Sequence, residues 1–146
     1  MSCMTPPPHS AHELVRAGPA DARTASVLRD DLQTWLSQAD RVTPILLSDI
    51  VTSVYEALAN CVDHAYARRV EDGTMSMHAV YDPGGQQICV SVSDGGTWRE
   101  PPPSDPLDTR GRGLALMRAL ANRCTIVGRP TGTTVELLFE MAMSRV

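Results

Sequence analysis

Two stretches of this chain alternate apolar and polar residues and then fold back on themselves, which restricts the kind of sheet it can build. Thr74-Met-Ser-Met-His-Ala-Val-Tyr81 alternates, Asp82-Pro-Gly-Gly85 turns the chain, and Gln87-Ile-Cys-Val-Ser-Val-Ser93 returns. Cys124-Thr-Ile-Val127 and Thr133-Thr-Val-Glu-Leu-Leu-Phe139 repeat the arrangement across Gly128-Arg-Pro-Thr-Gly132. Strands joined by hairpins run antiparallel, whereas a doubly wound parallel sheet needs a long crossover between strands. A further short strand is expected at His12-Glu-Leu-Val-Arg16, closed by Gly18-Pro19.

The rest of the periodic sequence is helical. Ala25, Leu28, Leu32, Trp35 and Leu36 recur at helical spacing after an acidic start at Asp21. A second helix is expected from Thr43-Pro44, a capping residue followed by proline at the first helical position. It continues through Ile45, Leu46, Ile50, Val54, Leu58 and Val62 to Tyr66 or Arg69. A short third helix fits 114–121. The expected fold is therefore α+β: a two-layer sandwich of a mixed, mostly antiparallel sheet with helices on one face. A chain of 146 residues accommodates one such domain, over 12–146. Residues 1–11, with Pro6, Pro7 and Pro8 in a row, read as a flexible tail. Residues 94–113 form a loop rich in glycine, proline and arginine, and loops of that length are usually functional or mobile.

Composition removes several chemistries. All 13 basic residues are arginine, so no Walker-A lysine, Schiff-base lysine or lysine general base exists. A net charge of −4 gives no global basic footprint, so no direct nucleic-acid partner is expected. No uninterrupted apolar run approaches the roughly 18 residues of a membrane span. The first residues lack the basic and apolar regions of a secretion signal. The 4 cysteines form no C-x-x-C pair and read as reduced thiols of a cytoplasmic protein. Cys61 and His64 stand at ligand-like spacing without a second pair, which argues against zinc.

Three segments concentrate polar chemistry. Glu56, Asn60, Asp63 and His64 share one face of the long helix. Such a stripe is either the solvated side or, because this helix is otherwise so apolar, a place where Asn60 and Glu56 meet a hard cation and water. Asp94-Gly95-Gly96-Thr97 ends a strand. It is either a β-turn or a carboxylate offered to a base amino group, with glycines allowing close approach. Arg110-Gly111-Arg112-Gly113-Leu114 feeds a helix N-terminus, whose amides and dipole suit a phosphate. Thr133 and Thr134 follow Gly132 with hydroxyls available to the same pocket.

The order Glu56-x-x-x-Asn60-x-x-x-His64, Asp94-x-Gly96, Gly111-x-Gly113-Leu114 and Gly132-Thr133-Thr134-Val135 resembles the ATP-binding domain of Hsp90-type ATPases, gyrase B, MutL and histidine kinases. Within that superfamily the chain resembles stand-alone anti-sigma-factor serine-protein kinases of the RsbW type over about residues 12–140. The resemblance implies the Bergerat-type ATP-binding fold, with ATP and Mg²⁺ as cofactors. It implies Glu56 as general base, Asn60 as the Mg²⁺ ligand, and Asp94, beside Gly96, as acceptor of the adenine amino group. It implies a lid over about 98–112, and Arg110, Gly111, Arg112, Gly113 and Leu114 along the phosphates. Thr133 or Thr134 would then lie near adenine, and His64 falls at a histidine position of the family.

The same resemblance implies a sigma factor and an anti-anti-sigma protein of the STAS type as partners, and a homodimer. Arg23 and Arg29 on the first helix are the basic candidates for that surface. The length leaves no room for the phosphoacceptor helices of a sensor kinase or a following transducer domain, so action on a separate protein is expected. The sequence departs from the family's Asp-x-Gly-x-Gly pattern at Trp98, which stands where the second glycine belongs. That departure keeps a second reading open: an interaction module, with or without nucleotide, that transfers no phosphate.

Overall fold

A computed structural model describes residues 12–67, 73–95, 110–129 and 132–141. The expected tail at 1–11 lies outside the described residues. In chain order the elements are β1 (His12–Pro19), α1 (Ala22–Ser37), α2 (Pro44–Ala67), β2 (Thr74–Asp82), β3 (Gln87–Asp94), α3 (Arg110–Leu120), β4 (Arg123–Arg129) and β5 (Gly132–Glu140). The strands form one sheet in the order β1-β2-β3-β5-β4.

Every pairing is antiparallel, in line with the mostly antiparallel sheet of the expected two-layer α+β fold. The physical reason lies in the connections. β2–β3 and β4–β5 are hairpins, and the longer connections return β1 to β2 and β3 to β5 in opposite directions. The β2–β3 turn is held by Asp82, whose Oδ1 accepts the Gly85 N–H at 3.0 Å.

Alternation along the strands sends one set of side chains toward the helices. Met75, Met77, Ala79 and Tyr81 of β2, Ile88, Val90 and Val92 of β3, and Val135, Leu137 and Phe139 of β5 are all buried there. They meet Leu28, Leu32 and Leu36 of α1, Ile50, Val54 and Leu58 of α2, and Met117 of α3 in one continuous core. α2 packs between α1 and α3 and touches β3 and β5, so it is the central element of the helical layer. By length and composition α2 resembles a membrane-crossing helix over Pro44–Ala65. Here it is the core helix, with its apolar stripe against the sheet and polar residues along another side.

Both helix starts expected from sequence carry their caps. Asp21 Oδ1 accepts the Thr24 N–H at 2.7 Å, and that bond holds the Asp21 carboxyl below the usual carboxylate range. Thr43 Oγ1 accepts the Leu46 N–H at 3.1 Å immediately before Pro44. Tyr81 donates its hydroxyl to the Asp40 carbonyl at 2.8 Å, which ties the α1–α2 connection to the sheet. α3 begins at Arg110 and not at Leu114, because glycine's low helix propensity does not prevent Arg110–Gly113 from forming its first turn. Among the described cysteines, Cys61 and Cys124 are free and Cys89 is disulfide-bonded, against the expectation of reduced thiols throughout.

Leu32 is fully buried at the α1 face of this core. Leu32→Ala is expected to lower unfolding free energy by about 3 kcal/mol. Urea denaturation should show an earlier midpoint with an unchanged slope.

Candidate functional site

The long apolar stripe of α2 fixes which side chains remain outside the core. Ile50, Val54, Ala57, Leu58 and Cys61 are buried against the sheet and its neighbours. Glu56, Asn60 and His64 are half-buried along another side, each one turn from the next. Asp63, expected on the same stripe, is exposed. From Glu56 to His64 the helix rises about 12 Å. That row is long enough to run beside both the base and the phosphates of a nucleotide.

β3 ends at Asp94, whose side chain is 11% exposed. The carboxylate is held from two directions. Oδ1 accepts the backbone N–H of Thr133 at 3.1 Å, from the first turn of chain in β5. Oδ2 faces His64 Nδ1 on α2 at 3.5 Å. Gly132, with φ of 146°, takes a conformation that glycine adopts readily, and it presents the Thr133 N–H to Asp94. Asp94 thus sits where the helical layer meets the end of the sheet.

Cys61 reports on the same junction. Its thiol is pushed up to about 12, first by burial and then by the negative charge of Asp94. Cys124 is also raised by burial, with Arg118 acting in the opposite direction.

Alternation separates the two threonines that the sequence left as equals. Thr133 shares the helix-facing side with Val135, Leu137 and Phe139 and is 9% exposed. Thr134 points to the other face of the sheet, where its Oγ1 lies 2.9 Å from Ser93 Oγ. Thr133 and not Thr134 therefore stands beside Asp94. The parity of Thr133 with the buried β5 residues was a signal available in the sequence. The backbone bond from Thr133 to Asp94 was not, because it depends on β3–β5 register.

Gly95 also has a local reason for being glycine. A Cβ there would stand 2.6 Å from Thr74 Oγ1, and the Gly95 N–H donates to the Thr74 carbonyl at 2.9 Å. Its neighbour is β2, so close approach to a ligand is not what fixes this residue.

The remaining candidates divide clearly. Arg110, Gly111, Arg112 and Gly113 form the first turn of α3, with side-chain positions outside the described residues. Leu114 follows them, half-buried against the core. Gly96, Trp98 and the expected lid up to residue 109 also lie outside the described residues. Arg23 is exposed on α1. Arg29 is engaged within the fold: its guanidinium lies 4.9 Å from the Tyr55 ring centroid, and its Nε pairs with Asp30 at 3.2 Å.

No group of three or more His, Cys, Asp or Glu that could cage a metal occurs among the described residues. Asn60 and Glu56 nevertheless fit a Mg²⁺ ion that takes one or two protein oxygens and completes its octahedron with phosphates and water.

The histidine kinase-like ATPase domain family matches residues 18–139. Among solved structures, the chain is similar to the RsbU and RsbW domains of a Mycobacterium tuberculosis protein, at 27% identity and a TM-score of 0.67. The match covers 91% of this chain and 33% of that longer one.

The raised Cys61 thiol gives a direct check on this geometry. At pH 8 it is protonated, so iodoacetamide should leave Cys61 unlabelled in the native protein and label it in denaturant, as read by mass spectrometry. The sign of the linkage follows. The folded state favours the protonated thiol, so its contribution is intact below the ordinary value of 9.0 and is lost as pH rises toward about 12. Rapid native labelling of Cys61 at pH 8 would contradict the packing of α2 against Asp94.

Proposed function

We propose, because this chain belongs to the histidine kinase-like ATPase domain family, that it is an anti-sigma factor and ATP-dependent protein serine/threonine kinase. One observation carries the reading. A nearly buried carboxylate, Asp94, lies at a strand end beside the α2 row of Glu56, Asn60 and His64. In this reading Asp94 accepts a hydrogen bond from the adenine amino group, with Thr133 next to it. Asn60 would hold Mg²⁺, which when bound would neutralise phosphate charge. Arg110, Arg112 and the amides of Gly111, Gly113 and Leu114 supply the remaining positive potential without any lysine.

Glu56 stands two turns from His64, at the end of the row away from Asp94. It orients the hydroxyl of a Ser or Thr on an anti-anti-sigma protein and takes its proton. The hydroxyl oxygen forms the new bond to the γ-phosphorus, the bond to the β–γ bridging oxygen breaks, and ADP leaves. The sigma factor docks on α1, where exposed Arg23 is the better basic contact and Arg29 is engaged with Tyr55. A homodimer completes the proposal. The support for the anti-sigma role is the likeness to the RsbW-containing structure, of which this chain spans 33%.

A second reading has a specific observation behind it. Trp98 occupies the second glycine position of the family pattern, so the chain would bind partners, with or without nucleotide, and transfer nothing.

Calorimetric titration with Mg-ATP tests the first reading. Asp94→Asn should weaken binding at least tenfold, about 1.4 kcal/mol. No binding by the wild type at millimolar nucleotide would overturn the kinase assignment. Glu56→Ala separates the two readings: it should reduce transfer to a STAS-type acceptor by about 10²-fold or more while leaving ATP affinity intact. No transfer by either wild type or Glu56→Ala would favour the module without catalysis.

A further inference from the structure

Asp94 is held on both oxygens by groups that belong to different layers of the fold. The Thr133 N–H reaches Oδ1 at 3.1 Å from the sheet, and His64 Nδ1 approaches Oδ2 at 3.5 Å from α2. The two contacts differ in kind. A backbone amide in a strand is fixed by the register of β5, so it sets where one oxygen sits and leaves the carboxylate plane to turn about it. The imidazole sits on the other side and opposes that rotation. A donor aimed by these partners meets an acceptor whose direction is already set, which is the physical content of preorganisation.

His64 stands beside this carboxylate. It is 29% exposed and two turns beyond Glu56, toward the C-terminal end of α2. Its ring nitrogen is directed at a carboxylate, and a ring nitrogen so engaged has its tautomer selected by that partner.

We propose that His64 is a positioning residue for base selection: it acts through Asp94, holding the carboxylate in the orientation that distinguishes a 6-amino purine from a 6-oxo purine. The inference rests on the reading of Asp94 as the adenine acceptor. It assigns His64 a role that direct contact with the nucleotide would not require. A loosely held carboxylate can still meet an amino group, but it can also swing away from the carbonyl of a 6-oxo base. Loss of the imidazole therefore narrows selectivity more than it lowers overall binding.

The test measures Kd for Mg-ATP and Mg-ITP by calorimetry on the full chain. His64→Ala should shrink the ITP-to-ATP Kd ratio about tenfold, with ATP binding weakened and ITP binding tightened. His64→Leu, which fills the space without donating, should behave in the same way and controls for packing. His64→Asn carries a donor near the position of Nδ1 and should restore most of the ratio. A wild-type ratio in folded His64→Ala or His64→Leu would overturn the proposal, and so would a folded His64→Asn that restores nothing. A wild type that binds both nucleotides equally, or neither, would instead overturn the adenine role of Asp94, and this inference with it.

Discussion

The packing of α2 against the inner face of the sheet is the interaction on which the rest of this molecule depends. Ile50, Val54, Leu58 and Cys61 commit one side of the helix to the core. Helical geometry then leaves Glu56, Asn60 and His64 no choice but to line another side. Burial of large aliphatic side chains contributes about 1.5–3 kcal/mol each, so the rotation of α2 about its axis is set by apolar packing and not by its polar residues. A polar row can be kept in a fixed orientation because it does not have to stabilise that orientation itself.

The sheet supplies the other half of the arrangement by the same logic. Val90 and Val92 point into the core, so Asp94, two residues on, emerges on the same face at the strand end. Thr133 arrives beside it because β5 is in register with β3, with Ser93 opposite Thr134. The result is a carboxylate that is largely removed from water and yet partnered on both oxygens. Its charge is felt by the Cys61 thiol across the helix–sheet junction. A buried charge with defined partners has a direction as well as a location, and direction is what recognition of a flat heteroaromatic base needs.

Much of this was legible in the sequence because the signals were local. The two hairpins, the Asp21 and Thr43 caps and the periodicity of Leu28, Leu32 and Leu36 each rest on residues a few positions apart, and each has its counterpart in the structure. The motif residues Glu56, Asn60 and His64 fell on one face for the same reason. What was not legible depends on contacts between distant segments. That Gly95 answers to Thr74, that Arg29 is drawn onto Tyr55, and that the Thr133 amide reaches Asp94 are consequences of tertiary register. The choice between Thr133 and Thr134 lies in between, since strand parity contained the answer once the inner face of β5 was identified. The start of α3 at Arg110 departs from propensity, which is a weak prior where a helix packs against others, as α3 does on α2.

The central claim is that nucleotide binds between α2 and the β3–β5 end of the sheet, on the helix-facing side. Amide chemical shifts of nitrogen-15-labelled protein during a Mg-ATP titration test it most directly. The account predicts saturable shifts at Asn60, His64, Asp94 and Thr133, with Glu13 and His78, which pair at 3.2 Å on the opposite face, left unchanged. Shifts that gather around Glu13 and His78 and spare Asp94 and Thr133 would contradict it.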